Sequence, residues 1–418
     1  MSRPRAPHEL VREPEDDPLS ARRALGMRLG LPVVRAVYEA LGRPGVGIPT
    51  VHVVGTNGKG STAALLEHAL RGRGRRPGVY TSPHLHRLGE RVRIDGRPID
   101  DAALREGLQA VLRVEQGLSL PRPLSFFELL TLAALQRLAA AAVDVMIVEA
   151  GLGARRDATR VITASAVAIT SIGLDHQASI GPTLVEIARE KAGAMAPGVP
   201  AFTALQAPDV LAVLRDEAQA VGCALHEVPP RPRAPAGLLG EHQRGNAGLA
   251  RAVGRTLVPD LDDADLDGVV VPGRLERIAR GPGGGLWLDV AHNPEGIAAV
   301  VAAVRSGVVP RPSVVVFGCH PDKDRAGMWA VLRTLGCPLW WVPCERAAPG
   351  QAPAPAPPSD RRFEAIDEPA LWPAVRAELD RGGTALACGS HRVVGAMRAA
   401  ALELPVRPEP QDPRPAAS

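Results

Sequence analysis

Residues 50–70 constrain this chain more than any other stretch. A short apolar run, Thr50 to Val54, meets the glycine-rich turn Gly55-Thr56-Asn57-Gly58-Lys59-Gly60-Ser61, and an apolar helical stretch follows from Thr62 to Leu70. Strand, glycine-rich turn and helix in that order predict a phosphate loop at the end of a buried parallel strand. Such a loop points backbone N–H groups at phosphate oxygens, and the helix N-terminus adds its partial positive charge. Lys59 would add a point charge on the β- and γ-phosphates. The turn is not a standard Walker A sequence, because Gly60 stands where a Ser or Thr would follow the lysine to hold magnesium. The metal hydroxyl must come from Ser61 or from elsewhere.

Lysine usage sharpens this reading. Of 49 basic residues only Lys59, Lys191 and Lys323 are lysines. Arginine fills every generic positive position, so each lysine is a candidate for work a planar, permanently charged guanidinium cannot do. A chain of 418 residues exceeds one hydrophobic core, so two domains are expected. Apolar residues make up 45% and aromatics 3%, so the core must be built from Ala, Val and Leu. No apolar run reaches the length of a membrane span. Residues 1–20 are charged and Pro-rich without a secretory h-region, and are expected to be disordered. Cys223, Cys319, Cys337, Cys344 and Cys388 form no C-x-x-C pair, which points to reduced thiols in a cytoplasm. The net charge of +4 would suit anionic small substrates. Arg71, Arg73, Arg75 and Arg76 cluster without interleaved aromatics, so nucleic acid is not the expected partner.

Along the chain, helices are predicted at Leu31 to Leu41 and Phe126 to Ala142. Strands are predicted at Pro77 to Thr81, Val143 to Val148 and Val167 to Ser171. This alternation implies an α/β fold with a mostly parallel sheet covered on both faces. The glycine-rich stretch 281–285 marks a boundary. Beyond it the alternation restarts at Leu286 to Val290, Ser313 to Phe317, Leu339 to Val342 and Thr384 to Cys388. The expected organisation is a disordered 1–20, a first domain over 21–272, a linker over 273–285, a second domain over 286–404 and a mobile tail over 405–418. Residues 347–360 read as a Pro/Ala-rich loop. Glu149 closes a buried strand where open α/β sheets bind ligands, and a carboxylate there is a natural magnesium ligand. Asp175-His176 follows the next strand and should lie at the same sheet edge.

Taken together these motifs resemble the folylpolyglutamate synthase/dihydrofolate synthase family of the Mur ligase superfamily. The resemblance runs through the Gly55–Ser61 turn, Tyr80-Thr81-Ser82-Pro83-His84-Leu85, Phe127-Glu128, Glu149-Ala150-Gly151-Leu152-Gly153 and Asp157-Ala158-Thr159. It continues through Thr170 to His176, Lys191-Ala192-Gly193, Pro272-Gly273-Arg274, Asp289-Val290-Ala291-His292-Asn293-Pro294 and Asp322-Lys323-Asp324. The motifs appear in family order over roughly residues 28–395. The resemblance implies a P-loop-type first domain like the Mur ligase central domain, and a smaller Rossmann-like C-terminal domain.

It also implies roles. Thr56, Asn57, Gly58, Lys59, Gly60 and Ser61 would bind the phosphates of ATP. Ser82, Glu149, His176 and a carbamylated Lys191 would ligate magnesium, and a monovalent cation such as K+ would be a further cofactor. Asn246 and Asp289 would contact the nucleoside, and Arg274 and His292 would approach the phosphates. A pterin would lie near Phe127, Glu128, Arg156, Asp157 and Ala158. Asp322, Lys323 and Asp324 would close on the site from the second domain. The implied activity is ATP-dependent joining of L-glutamate to folate or dihydropteroate through an acyl phosphate, by a cytoplasmic monomer. Two other readings stay open: a Mur-type ligase for another carboxylate, and a non-catalytic nucleotide-binding homologue. Ala154 and Arg160 depart from the family's Gly-Gly-Arg-x-Asp-Ala-Thr-Asn, and Arg28 stands where some relatives carry an acid. A Cβ at Ala154 matters if the backbone there needs positive φ.

Overall fold

The computed structural model describes residues 19, 22, 25, 30–279, 284–343, 363–365 and 368–403. The expectations for 1–20 (Leu19 apart), 347–360 and 405–418, and for Arg28 and Cys344, lie outside the described residues.

The first half holds an eight-stranded sheet. Its strands are β1 (Thr50–Val54), β2 (Pro77–Tyr80), β3 (Val92–Ile94), β4 (Arg97–Pro98), β5 (Val145–Glu149), β6 (Ala166–Ile169), β7 (Ala201–Thr203) and β8 (Leu225–Glu227), in the order β4-β3-β2-β5-β1-β6-β7-β8. Only β3 and β4 run antiparallel to their neighbours. The helices are α1 (Pro32–Ala40), α2 (Lys59–Gly72), α3 (Asp101–Gln116), α4 (Phe126–Ala140), α5 (Gln177–Ile180), α6 (Leu184–Ala192), α7 (Pro208–Val221) and α8 (Gln243–Gly254).

The central strand, β1, lies between β5 and β6 and is buried along its whole length. On one face Val51 and Val53 pack with Leu65, Leu66 and Ala69 of α2 and Ala250 and Val253 of α8. On the other, Met146 and Val148 of β5 join a core with Leu129, Leu132 and Leu135 of α4. Helices on both faces explain why these strands read as continuous apolar runs rather than alternating ones.

The second half holds a six-stranded sheet of β9 (Glu276–Ala279), β10 (Gly285–Leu288), β11 (Val314–Phe317), β12 (Leu339–Trp341), β13 (Phe363–Ala365) and β14 (Thr384–Cys388), in the order β13-β12-β11-β14-β10-β9. Its helices are α9 (Pro294–Arg305), α10 (Arg325–Arg333), α11 (Glu368–Asp380) and α12 (His391–Leu402). All pairs are parallel except β9 with β10.

Strand β9 departs from the sequence expectation, since it lies inside the stretch read as a linker. Glu276-Arg277-Ile278 carries too little apolar signal to announce a strand, and only pairing with β10 makes it one. Helix α2 begins at Lys59, three residues before its apolar stretch, because Gly58 at φ +90° turns the chain directly into it. Helix α4 begins on a capping box: Glu128 N donates to Ser125 Oγ at 3.4 Å, and Ser125 N donates to Glu128 Oε2 at 2.8 Å.

Candidate active site

The site lies at the carboxyl ends of β1, β5 and β6, which is where a parallel sheet of this kind opens a crevice. The turn after β1 is stitched to the segment after β6. Thr56 N donates to Ser171 O at 2.8 Å and Asn57 N to the same oxygen at 3.3 Å. Those two amides are therefore engaged within the protein. The amides of Gly58, Lys59, Gly60 and Ser61 precede the first bond of the helix, Thr62 N to Gly58 O at 2.8 Å, and are the donors at the α2 N-terminus. The phosphate-facing set is thus narrower than the whole Thr56–Ser61 stretch. Lys59 Nζ folds back on the carbonyls of Gly55 at 3.2 Å and Thr56 at 3.1 Å.

Charged groups surround this turn. A Cβ on Gly60 would lie 3.6 Å from Arg274 Nη2 and 3.8 Å from Glu149 Oε2, so these two side chains face the same gap. Glu149 is buried, and Ser82 N donates to its Oε2 at 3.3 Å. Burial pushes its carboxyl up against the lowering pull of Lys59. Burial in turn lowers Lys59, opposed by Glu149 and Asp175. Lys191, on α6, is buried with its Nζ 2.6 Å from Gly55 O, and burial together with the Lys59 charge brings it down to about 7.

Asp175 is the focus of a second cluster. Lys323 Nζ donates to its Oδ1 at 2.6 Å, and His292 Nε2 lies 3.5 Å from its Oδ2. Burial works against the carboxylate, but the His292 hydrogen bond and the His176 and Lys323 charges hold it well below the usual range. His176 adopts the left-handed region at φ +52°, which is rare for a residue with a Cβ. Its Nε2 lies 3.2 Å from Lys323 Nζ, and burial lowers it to about 4. His176 is therefore a neutral ring near neutrality, with its Nε2 lone pair accepting from Lys323. His292 Nδ1 is 2.9 Å from Val290 O and donates to that carbonyl.

The remaining expected residues divide. Asn246 lies against the turn, since a Cβ on Gly58 would come within 2.2 Å of its Oδ1, and it donates to Gln243 Oε1 at 2.8 Å. Asp289 accepts from Leu275 N at 3.0 Å and Ala291 N at 2.8 Å, which ties β10 to the Gly273-Arg274 turn. Phe127 packs over Gly151, where a Cβ would meet its ring at 2.4 Å. Arg156 pairs with Glu190 at 3.4 Å, and Ala158 is buried behind it.

Two of the residues expected to touch substrate are held inside the protein. Glu128 takes a two-pronged ion pair from Arg122 at 2.7 and 2.8 Å besides its capping bond. Asp157 accepts from Leu152 N at 2.9 Å, Thr159 N at 3.0 Å and Thr159 Oγ1 at 2.5 Å. Both carboxylates anchor local backbone, a use that motif spacing does not announce. Asp322 bonds His320 and lies within charge range of His176, Asp324 caps α10 through Gly327 N at 2.8 Å, and Lys323 reaches across to hydrogen-bond Asp175 on the first sheet's side.

Neither departure in the Gly-Ala-Arg segment strains the backbone. The positive φ of +72° falls on Gly153, and Ala154 is not among the positive-φ residues. Arg160 donates to Gly193 O at 2.9 Å and Met195 O at 3.3 Å, so it ties down the turn that follows Lys191. Asn293 and Glu295 were not expected at the site. Asn293-Pro294 reads as an N-cap followed by proline at N1, and that signal locates the start of α9 but not what it faces.

The two sheets and the crevice between them have the architecture of the Mur ligase superfamily. The family described as "Mur ligase, glutamate ligase domain" matches residues 273–390. Dihydrofolate synthase/folylpolyglutamate synthase of Escherichia coli is 32% identical over 400 residues, covering 88% of this chain and 90% of that protein. Mitochondrial folylpolyglutamate synthase of Bos taurus is 34% identical over 68% of this chain, which spans 57% of the bovine protein's length. Among solved structures, E. coli FolC in complex with DHPP and ADP superposes with a TM-score of 0.77 at 28% identity, covering 92% of this chain and 97% of that one. The Yersinia pestis bifunctional folylpolyglutamate synthase/dihydrofolate synthase complexed with AMPPNP and Mn ion gives 0.77 at 29% identity, covering 94% and 100%. The chain belongs to the folylpolyglutamate synthase/dihydrofolate synthase family.

Proposed function

We propose that this site is an ADP-forming ligase that joins the amine of L-glutamate to a folate-type carboxylate. The observation that carries the reading is that Arg274 and Glu149 face Gly60, with the Lys59 charge within range of both, at a helix N-terminus whose first four amides precede the helical ladder. Family membership and the ADP- and DHPP-bound relative support it. Gly58 to Ser61 present their N–H groups to the phosphates of ATP. Lys59 and Arg274 flank the transferring γ-phosphoryl group, whose charge is where most catalysis of such transfer acts. Asn246 and Asp289 border the nucleoside, while Phe127, Arg156 and Ala158 line the pterin side.

The substrate carboxylate oxygen attacks the γ-phosphorus and the bond to ADP breaks, giving an acyl phosphate. The glutamate amine then attacks the acyl carbon, the carbon–oxygen bond to phosphate breaks, and the amine gives up a proton. His292 and Lys323 reach this edge from the second sheet and exclude water, which protects the acyl phosphate from hydrolysis.

The residues fit a divalent metal. Glu149 is a buried carboxylate with one backbone donor, so a hard cation suits it. Among the described residues no group of three or more His, Cys, Asp or Glu is placed to hold a metal ion. Ser82, Glu149, His176 and a carbamylated Lys191 are the residues that would hold it, and a monovalent cation such as K+ is a further expected requirement. Bound magnesium supplies charge neutralisation on the phosphate oxygens. Among the described residues no helix is long and apolar enough to cross a membrane. From scattered cysteines with no C-x-x-C pair we infer work in the cytoplasm, and we propose a monomer.

The purified chain with ATP, magnesium and glutamate should release ADP only when dihydropteroate or tetrahydrofolate is added. Product mass should rise by one glutamyl residue. ADP release with a different carboxylate in place of both would favour a Mur-type ligase, and no release with any would favour a non-catalytic homologue.

A further inference from the structure

Three hydrogen bonds from the second half of the chain converge on one side chain of the phosphate loop. Asn57 Nδ2 donates to Glu295 Oε2 at 3.0 Å and to Asn293 Oδ1 at 3.4 Å, and Asn293 Nδ2 donates to Asn57 Oδ1 at 2.9 Å. The partners are 236 and 238 residues away. Asn293 is buried and is itself fixed twice: Gly296 N donates to its Oδ1 at 2.8 Å as the α9 cap, and its Nδ2 lies 3.4 Å from Asp175 Oδ2. The Glu295 carboxylate is wedged close to the loop, since a Cβ on Gly173 would come within 2.0 Å of its Oε2. Gly173 is in turn locked to Thr56 by two bonds of 3.1 Å.

We propose that Asn57 is a positioning residue that couples the phosphate loop to docking of the α9 end, and does not read ATP with its side chain. Its backbone belongs to the loop and its amide faces away to Asn293 and Glu295. The amide geometry matches those partners in polarity: an acceptor meets the Asn293 NH2 and a donor meets the Glu295 carboxylate. Movement of α9 off the loop breaks all three bonds together. Docking of the second sheet, which carries His292 and Lys323, thus adds a hold on the loop leading into the Gly58 to Ser61 amides, beside those of Ser171 and Gly173. Phosphoryl transfer is thereby favoured in the docked arrangement, in which the acyl phosphate is shielded from water. The inference rests on the ligase reading for its consequence, but not for the contact itself.

The test is a polarity swap. Asn57→Asp keeps the acceptor for Asn293 and turns the donor facing Glu295 into an oxygen, so two carboxylates oppose. Asn57→Asp/Glu295→Gln restores a donor on the other side. For Asn57→Asp, kcat should fall about tenfold or more while KM for ATP stays within about threefold. Glu295→Gln alone should stay within about threefold of wild type, and the double variant should recover most of the loss. Hydrogen exchange at the amides of Gly58 to Ser61 should be faster in Asn57→Asp and slow again in the double variant. Wild-type turnover in Asn57→Asp, or a double variant no better than the single one, overturns the proposal. If the wild-type protein forms no glutamylated product, the ligase reading fails, and the exchange measurement still decides the role of Asn57.

Discussion

Lys323 Nζ and Asp175 Oδ1 lie 2.6 Å apart across 148 residues of chain, and both side chains are less than a tenth exposed. This ion pair joins the segment after β11 to the segment after β6, and His292 and His176 gather on the same carboxylate and amine. Removing one partner leaves the other's charge enclosed without its counter-charge, which costs more than an exposed pair is worth. Lys323→Met and Asp175→Asn should each destabilise the protein and depress ligation. Their double variant should be less destabilised than the sum by about 1–3 kcal/mol, measured by chemical denaturation. Strict additivity would show that the two groups do not interact. Asp175 also sets an acid limit. Its carboxyl is held below the usual range, so its contribution is full above the unfolded carboxylate range and is lost as pH falls below it.

Lys59→Arg keeps the charge but should abolish ligation, by about a hundredfold or more in kcat. The lysine amine sits 3.1–3.2 Å from the Gly55 and Thr56 carbonyls within the turn. A wider planar guanidinium does not fit that point-like seat. Near-normal turnover would remove Lys59 from the phosphate site.

Glu149→Gln should separate stability from activity. Burial raises the Glu149 carboxyl, so its charged form is held at a cost that the neutral amide avoids. The variant should melt at or above the wild-type temperature near neutral pH, yet lose its magnesium-dependent activity. A lower melting temperature with an unchanged magnesium titration would make Glu149 structural.

Lys191 should be carbamylated, with the neutral amine adding to carbon dioxide and releasing a proton. Its pKa is lowered from 10.5 to about 7, burial first and then the Lys59 charge. The folded state therefore binds fewer protons than the unfolded state between those values. Its contribution to stability is least favourable below about pH 7 and improves as pH rises through the window. Carbon dioxide uptake should follow the neutral amine and grow over the same range. Intact mass under non-acidifying conditions should show the adduct. Lys191→Ala should lose activity and regain part of it with added short carboxylates, and Lys191→Arg should be inactive without rescue. A fully active Lys191→Arg variant would end the carbamate hypothesis.

Much of this protein is legible in the order of its amino acids. The run from Thr50 to Ser61 announces a strand and a glycine-rich turn because backbone chemistry leaves few alternatives. The β5 strand and its terminal Glu149 are equally local. Rarity marked Lys59, Lys191 and Lys323, and all three prove to be buried or closely partnered at one crevice.

What the sequence by itself determined is therefore the central strands β1, β2, β5, β6, β10, β11, β12 and β14 and the chemical inventory: periodicity, glycines at forced turns, and the few residues no arginine could replace. What only the tertiary structure decided is partnership. Asp157 and Glu128 look like substrate ligands in a motif, yet their oxygens bond neighbouring backbone and Arg122. Strand β9 exists because β10 pairs with it, and Asn57 meets Asn293 because two sheets bring together residues 236 apart. Element choice depends on interactions within a few residues, which the sequence carries directly. Hydrogen-bond partnership between distant segments depends on how packed layers meet, and no local pattern encodes that.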